Sequence, residues 1–287
     1  MIRRRILAAA LLTGVAFSTA SAQETRWSPE DEAGVRAAAM NYMEGALNVD
    51  ADRVARGVHP ELNKVIVVTP RGGDRQVLSY NTHSTLVEAI RGMGDALANA
   101  PKEVDLTIYD ISNGLAVVRC IGAPWYDYAQ LAKVNGEWSI VNVLWAQNRL
   151  QTEGQGQNTD ADRAAVEAAA LDYIEGAYSG DAERMERALH PELNKVLLTE
   201  SRATGVQFLY KMGWSNLVEG TRAGLGLVDE GERRIEVEVY DVSHDMAMVK
   251  VSSLLYIDYL QVGHVNGEWK LINVLWVPNP DAPARGG

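Results

Sequence analysis

Residues 127–145 read DYAQLAKVNGEWSIVNVLW, and residues 258–276 read DYLQVGHVNGEWKLINVLW. Twelve of these nineteen positions are identical, at an offset of 131 residues. The same offset sets Tyr42-Met43-Glu44-Gly45 on Tyr173-Ile174-Glu175-Gly176, and His59-Pro60-Glu61-Leu62-Asn63-Lys64 on His190-Pro191-Glu192-Leu193-Asn194-Lys195. It also pairs Leu86-Val87-Glu88 with Leu217-Val218-Glu219, and Tyr109-Asp110 with Tyr240-Asp241. Self-similarity at a fixed spacing marks a repeat. Two copies are too few for a solenoid, and each is long enough to carry its own core. The chain therefore reads as a duplicated domain, with copies at 28–147 and 159–278. A polar, Gly/Gln-rich linker joins them at 148–158, and a Pro/Gly-rich tail at 279–287 is expected to be disordered.

Each copy runs from helices into a sheet. Ser28 followed by Pro29, Glu30 and Asp31 starts a helix, because serine caps the first amides and the acids face the positive dipole end. Val35, Ala38, Ala39, Tyr42 and Met43 then recur at helical spacing, as do Val166, Ala169, Ala170, Tyr173 and Ile174 after Thr159-Asp160. Asp50 and Asp181 read as caps of a second, short helix that stops before Pro60 and Pro191. A third helix is expected over 84–91 and 215–222. Val104, Leu106 and Ile108 then alternate with polar residues, as Ile235, Val237 and Val239 do, which is strand periodicity. Asn135-Gly136 and Asn266-Gly267 lie between apolar runs, the signature of a two-residue hairpin turn.

The chain opens MIRRRILAAALLTGVAFSTASAQ. A basic start at Arg3 to Arg5, a short apolar run and Ala20-Ser21-Ala22 together read as a signal peptide over 1–22. The mature protein is thus expected to be secreted or periplasmic, with no membrane attachment after cleavage. The formal net charge is −11, and three arginines belong to the leader, which argues against nucleic-acid or anionic-membrane partners. Cys120 is the only cysteine, so no intrachain disulfide forms. Its repeat partner is Val251, which makes it a small packed hydrophobe rather than a nucleophile.

The order of elements, a helix running into His-Pro and the long terminal hairpin with Gly-x-Trp resemble the cone-shaped α+β fold of nuclear transport factor 2. Ketosteroid isomerase and the SnoaL-like cyclases share that fold. YxEG, the D-A-x-R before HPEL and DYxxLxKVNGEWxIVNVLW more narrowly resemble the family described as putative lumazine-binding. The resemblance covers nearly the whole mature chain, once per copy. It implies two tandem domains, each with N-terminal helices packed on a curved, mainly antiparallel sheet, and a pocket between sheet and helices. It also implies that the outer sheet faces can pair the two domains as an intramolecular pseudo-dimer.

The hairpin turn fixes a register. Val134 opposite Glu137 sets Asp127 opposite Leu144 and Ala129 opposite Asn142, provided no bulge falls between residues 128 and 133. Asp127 and Asn142 are then diagonal neighbours on one face, and Asp258 and Asn273 repeat them. Both types are depleted in strands. A carboxylate beside a carboxamide can serve as general base and oxyanion donor, or can simply fix the sheet by hydrogen bonds. His59 and His190 read as helix C-terminal caps or as acid–base groups. Tyr42 and Tyr173 read as core residues with a hydroxyl at a pocket edge. Trp138, Trp145, Trp269 and Trp276 are mainly core mass, with Trp138 and Trp269 candidate ligand contacts. Segments 70–85 and 200–215 differ between the copies and are expected to form the pocket lid or entrance in each domain, giving the two pockets different selectivity. His83 and His264 lack counterparts, and no metal-ligand spacing, phosphate loop or dinucleotide fingerprint occurs, so neither metal nor cofactor is expected. Three functions remain open: a secreted small-molecule binding protein, a proton-transfer enzyme of isomerase, dehydratase or cyclase type using Asp127 or Asp258, and a protein-interaction module.

Overall fold

The computed structural model describes residues 26–148 and 158–283. The segment expected to be a leader, 1–22, and almost all of the expected linker lie outside the described residues. The first half begins with α1 (Pro29–Leu47), α2 (Ala51–Gly57), β1 (Val58–Val68), β2 (Val77–Asn81) and α3 (His83–Arg91). It continues with β3 (Asp105–Ser112), β4 (Leu115–Gly122), β5 (Trp125–Val134) and β6 (Glu137–Gln147). The second half repeats this as α4 (Asp160–Ser179), α5 (Ala182–Ala188), β7 (Leu189–Glu200), β8 (Gln207–Met212) and α6 (Trp214–Arg222). Then come β9 (Ile235–Ser243), β10 (Met246–Ser253), β11 (Tyr256–Val265) and β12 (Glu268–Pro278). Each half is α+β, as expected, with a six-stranded mixed sheet. The strand order is β2-β1-β6-β5-β4-β3 in one and β8-β7-β12-β11-β10-β9 in the other. Among the described residues only β1 with β6 and β7 with β12 run parallel.

Local chemistry explains the helix ends. Ser28 accepts from the Asp31 amide, Asp50 from Arg53 and Asp181 from Arg184. The YxEG glycine has a steric reason. A Cβ on Gly45 would stand 3.0 Å from the Val54 backbone nitrogen, and one on Gly176 would stand 3.0 Å from that of Met185. Glycine is what lets α1 and α2, and α4 and α5, cross this closely. The Asn-Gly turns take positive φ at both residues, 51° and 90° at Asn135-Gly136, which suits a two-residue hairpin.

One of the expectations for this region is corrected. His59 and His190 do not cap helices, because α2 and α5 end at Gly57 and Ala188 and the His-Pro segments already belong to β1 and β7. Each imidazole instead accepts, through Nδ1, the amide of Glu61 or Glu192 at 3.1 Å. Part of the expected tail lies within the described residues: Asn279 donates to the Leu255 and Ser253 carbonyls, and the Ala282 amide donates to the Asn279 carbonyl. Residues 284–287 lie outside the described residues.

Burial lowers the pKa of His59, His190 and His244 against smaller opposing pulls from nearby acids. A histidine whose folded pKa lies below its unfolded value of about 6.5 contributes stability above that pH and loses it as the pH falls toward the folded value. The urea midpoint is therefore expected to fall between about pH 7 and about pH 5, and His59→Gln with His190→Gln should flatten that slope. An unchanged slope in the double variant would assign it to other groups.

The two sheets pack against each other. A third apolar cluster draws on both, including Tyr128, Val141 and Leu144 from one side and Tyr259, Ile272 and Leu275 from the other. Tyr109 and Tyr240, equivalent residues, stack at 5.4 Å and 7° across the junction. The other two clusters lie between each sheet and its own helices. The halves thus pair as a pseudo-dimer.

Candidate functional site

The terminal hairpin carries a bulge that reassigns its faces. Leu131 pairs with Ile140, but Gln130 pairs with Asn142, so Val141 is the extra residue. Asp127 consequently faces Trp145, not Leu144. The second copy does the same, with Ile272 extra and Asp258 facing Trp276. One inserted residue moves everything beyond it to the opposite face. Asp127 therefore points to the helices while Asn142 points to the other domain. The carboxylate–carboxamide pair is not formed at Asp127 and Asn142, nor at Asp258 and Asn273.

The amides do something else. Asn194 Nδ2 donates to Asn142 Oδ1 at 2.9 Å, Asn142 donates to Gln130 at 2.8 Å, and Gln130 donates to the Tyr259 carbonyl at 2.8 Å. The mirror chain runs from Asn63 to Asn273, to Gln261, to the Tyr128 carbonyl, each step 2.8 Å. Gln130, Asn142, Gln261 and Asn273 have no exposed surface. These are two satisfied polar ladders inside the domain junction, which fix how the sheets meet.

The acids belong to a different constellation. Asp127 accepts from the Tyr42 hydroxyl and from Lys64 Nζ at 2.8 Å, and Lys64 also donates to Tyr42 at 2.6 Å. The Lys64 ammonium lies 4.4 Å from the centre of the Trp145 ring. In the second copy Asp258 accepts from Tyr173 at 2.8 Å and from Lys195 at 2.9 Å, Lys195 also donates to Tyr173, and its ammonium is 4.5 Å from the Trp276 ring. The first helix (α1 or α4), the parallel strand (β1 or β7) and the first strand of the terminal hairpin (β5 or β11) thus converge on one buried ion pair per domain. Burial pushes both lysines below their ordinary pKa and their aspartates pull them back up. Burial, then the neighbouring carboxylate, pushes Tyr42 and Tyr173 up. A carboxylate held by an ammonium and a phenol fits the role of an electrostatic anchor better than that of a base.

Sequence reasoning missed Lys64 and Lys195. Their signal was a lysine followed by an apolar run, NKVIVV and NKVLLT, at matching positions in both copies.

In the second domain this anchor forms the floor of a cavity of about 360 Å³. Tyr173, Lys195, Tyr256 and Trp276 lie at its base, α6 supplies Leu217, Gly220 and Thr221, and Leu225 and Leu227 form part of its lining toward solvent. Those two leucines are 69 % and 57 % exposed. Lys195 is the only charged residue among those lining the cavity, and Asp258 neutralises it. The Trp276 indole N–H is buried with no hydrogen-bond partner.

The remaining candidates lie elsewhere. His190 lines a separate hollow with Arg75, Trp214 and Lys270. Trp138 covers Gly34 and donates to Asp31 at 3.0 Å, and Trp269 is packed in the second core. Segments 70–85 and 200–215, expected at the pocket lid or entrance, reach the second-domain cavity at one residue. They supply the edge strands β2 and β8, and at their starts Gln76 and Gln207 clasp the hairpin turns of the opposite domain through Asn266 and Asn135. Within 200–215 only Met212 reaches the cavity.

A family model described as putative lumazine-binding matches residues 30–146 and again residues 161–277. Among solved structures, an NTF-2 like protein of unknown function from Silicibacter pomeroyi is 19 % identical, with TM-score 0.37, over 43 % of this chain and 100 % of its own. A cystatin-like fold protein of unknown function from Nostoc punctiforme is 17 % identical, with TM-score 0.34, over 45 % and 99 %. A ketosteroid isomerase-like protein from Erwinia carotovora atroseptica is 18 % identical, with TM-score 0.31, over 42 % and 98 %. No curated protein matches.

Proposed function

The chain belongs, through both of its halves, to the family described as putative lumazine-binding, and from that premise we propose that it binds an uncharged, largely apolar small molecule in the second-domain cavity. The observation that carries this reading is the cavity itself. Its volume of about 360 Å³ falls in the range of small-molecule sites, which are typically apolar with a few polar groups that orient the ligand. A charged ligand would find no free counter-charge, because Lys195 and Asp258 satisfy each other. The unpaired Trp276 N–H favours a ligand with an acceptor oxygen or nitrogen near the cavity floor. With residues 1–22 read as an export signal, binding takes place beyond the cytoplasmic membrane.

Titration with N-phenyl-1-naphthylamine, a neutral apolar fluorophore, tests the reading. We expect saturable fluorescence enhancement, with its sulfonated analogue 1-anilinonaphthalene-8-sulfonate binding more weakly. A preference for the sulfonate would overturn the argument from charge.

A further inference from the structure

The sheet beneath the second-domain cavity continues beyond it. Across β11, β12, β7 and β8, Leu260, Val274, Lys195 and Met212 pair in one row, and Asp258, Trp276, Leu197 and Tyr210 pair in the next. Lys195, Met212 and Trp276 line the cavity. Leu197 and Tyr210 therefore stand beside Trp276 on the same face. Thr199 opposite Phe208 follows two residues further along β7 and β8. Leu209, between the two aromatic residues, belongs to the junction cluster on the other face. Two strand spacings and one two-residue step place Phe208 about 12 Å from Trp276 along the backbone.

This shelf is open. Phe208 is 46 % exposed and Tyr210 52 %. Apolar side chains left exposed beside one another and beside a cavity mark a surface that an occupant covers. None of the four shelf side chains, Leu197, Thr199, Phe208 and Tyr210, is charged, and their polar atoms are two hydroxyls. A sugar would find few hydrogen-bond partners there, whereas a hydrocarbon chain needs none.

We propose that the ligand is a neutral single-chain amphiphile, whose acceptor-bearing head lies over Trp276 in the cavity and whose hydrocarbon tail leaves along Leu197, Tyr210 and Phe208. This rests on the binding reading above and adds the ligand class and the path of its tail.

The first copy shows which residues the fold accepts on this strand. At the fixed offset Val77 stands for Phe208 and Ser79 for Tyr210, paired with Val68 and Ile66 as Phe208 and Tyr210 are with Thr199 and Leu197. Phe208→Val with Tyr210→Ser is thus the variant to make, and Phe208→Val alone serves where the pair lowers the melting temperature. The full chain and the variant are loaded with N-phenyl-1-naphthylamine, which is displaced by the methyl ketones from 2-hexanone to 2-dodecanone. In the unaltered chain affinity should rise about twofold for each added methylene, less than the roughly fourfold of full burial because the shelf covers one side of the tail. In the double variant the rise should flatten. A rise kept in the variant, an equal loss at every chain length, or no displacement by any ketone would overturn the proposal and leave the binding reading standing. So would a concentration-dependent dimer that the double variant abolishes, since the shelf would then belong to a second copy. No binding of the fluorophore to the unaltered chain would sink the binding reading and this proposal with it.

Discussion

Replacing Lys64 with methionine is expected to destabilise the chain by about 3–5 kcal/mol, and Lys195→Met by a similar amount. Asp127 and Asp258 have no exposed surface. Each faces one ammonium and one phenol, and one oxygen of each already has no hydrogen-bond partner. Removing the lysine leaves a buried charge answered only by a neutral hydroxyl. The same reasoning makes the whole unit dispensable for stability. The triple replacement Tyr42→Phe, Lys64→Met, Asp127→Leu removes donors, acceptors and charges together, and should recover most of the loss. Urea unfolding of the single and triple variants decides the matter. A Lys64→Met cost below about 1 kcal/mol would mean that water or neighbouring groups compensate Asp127 despite its burial.

The second large effect concerns the junction. A protease site placed within 149–157 should allow the chain to be cut without separating its halves, which are expected to co-elute on size-exclusion chromatography. Two amide ladders, the paired Gln–Asn clasps and an apolar cluster hold them. Leu144→Asp together with Leu275→Asp puts two unpaired carboxylates where neither leucine has any exposed surface, which costs several kcal/mol per charge. The cut double variant should dissociate or aggregate. Separation of the unaltered cut chain would show that the junction depends on the linker.

The repeat, the order of elements and the helix caps are readable because each rests on local chemistry: a serine before a proline, an aspartate before a short helix, an Asn-Gly pair between apolar runs. The pairing of the two sheets was legible only as a consequence of resemblance. The site was less legible, for two physical reasons. A bulge is a one-residue event, and nothing in IVNVLW distinguishes Val141 as the residue that leaves the ladder. That single insertion separates Asp127 from Asn142 and turns one supposed catalytic pair into a buried anchor and an interface ladder. Lys64 and Lys195 were overlooked because a lysine in a strand ordinarily reaches solvent. Their burial follows from partners on α1 and β5, or on α4 and β11, far away in sequence. The cavity was not legible because its lining is gathered from α4, α5, β7, β8, α6, β11 and β12, far apart in sequence.

The way the two sheets close against one another also sets a timetable. The first sheet has all its strands once Gln147 is made, but the face carrying Tyr128, Val141 and Leu144 has no cover until the final strand of the second sheet emerges, ending at Pro278. Until then the chain presents an apolar sheet with unfilled amide partners at Gln130 and Asn142, and any neighbouring half-folded copy offers the same surface. Cross-pairing between chains is therefore the failure to which this arrangement is most exposed during folding.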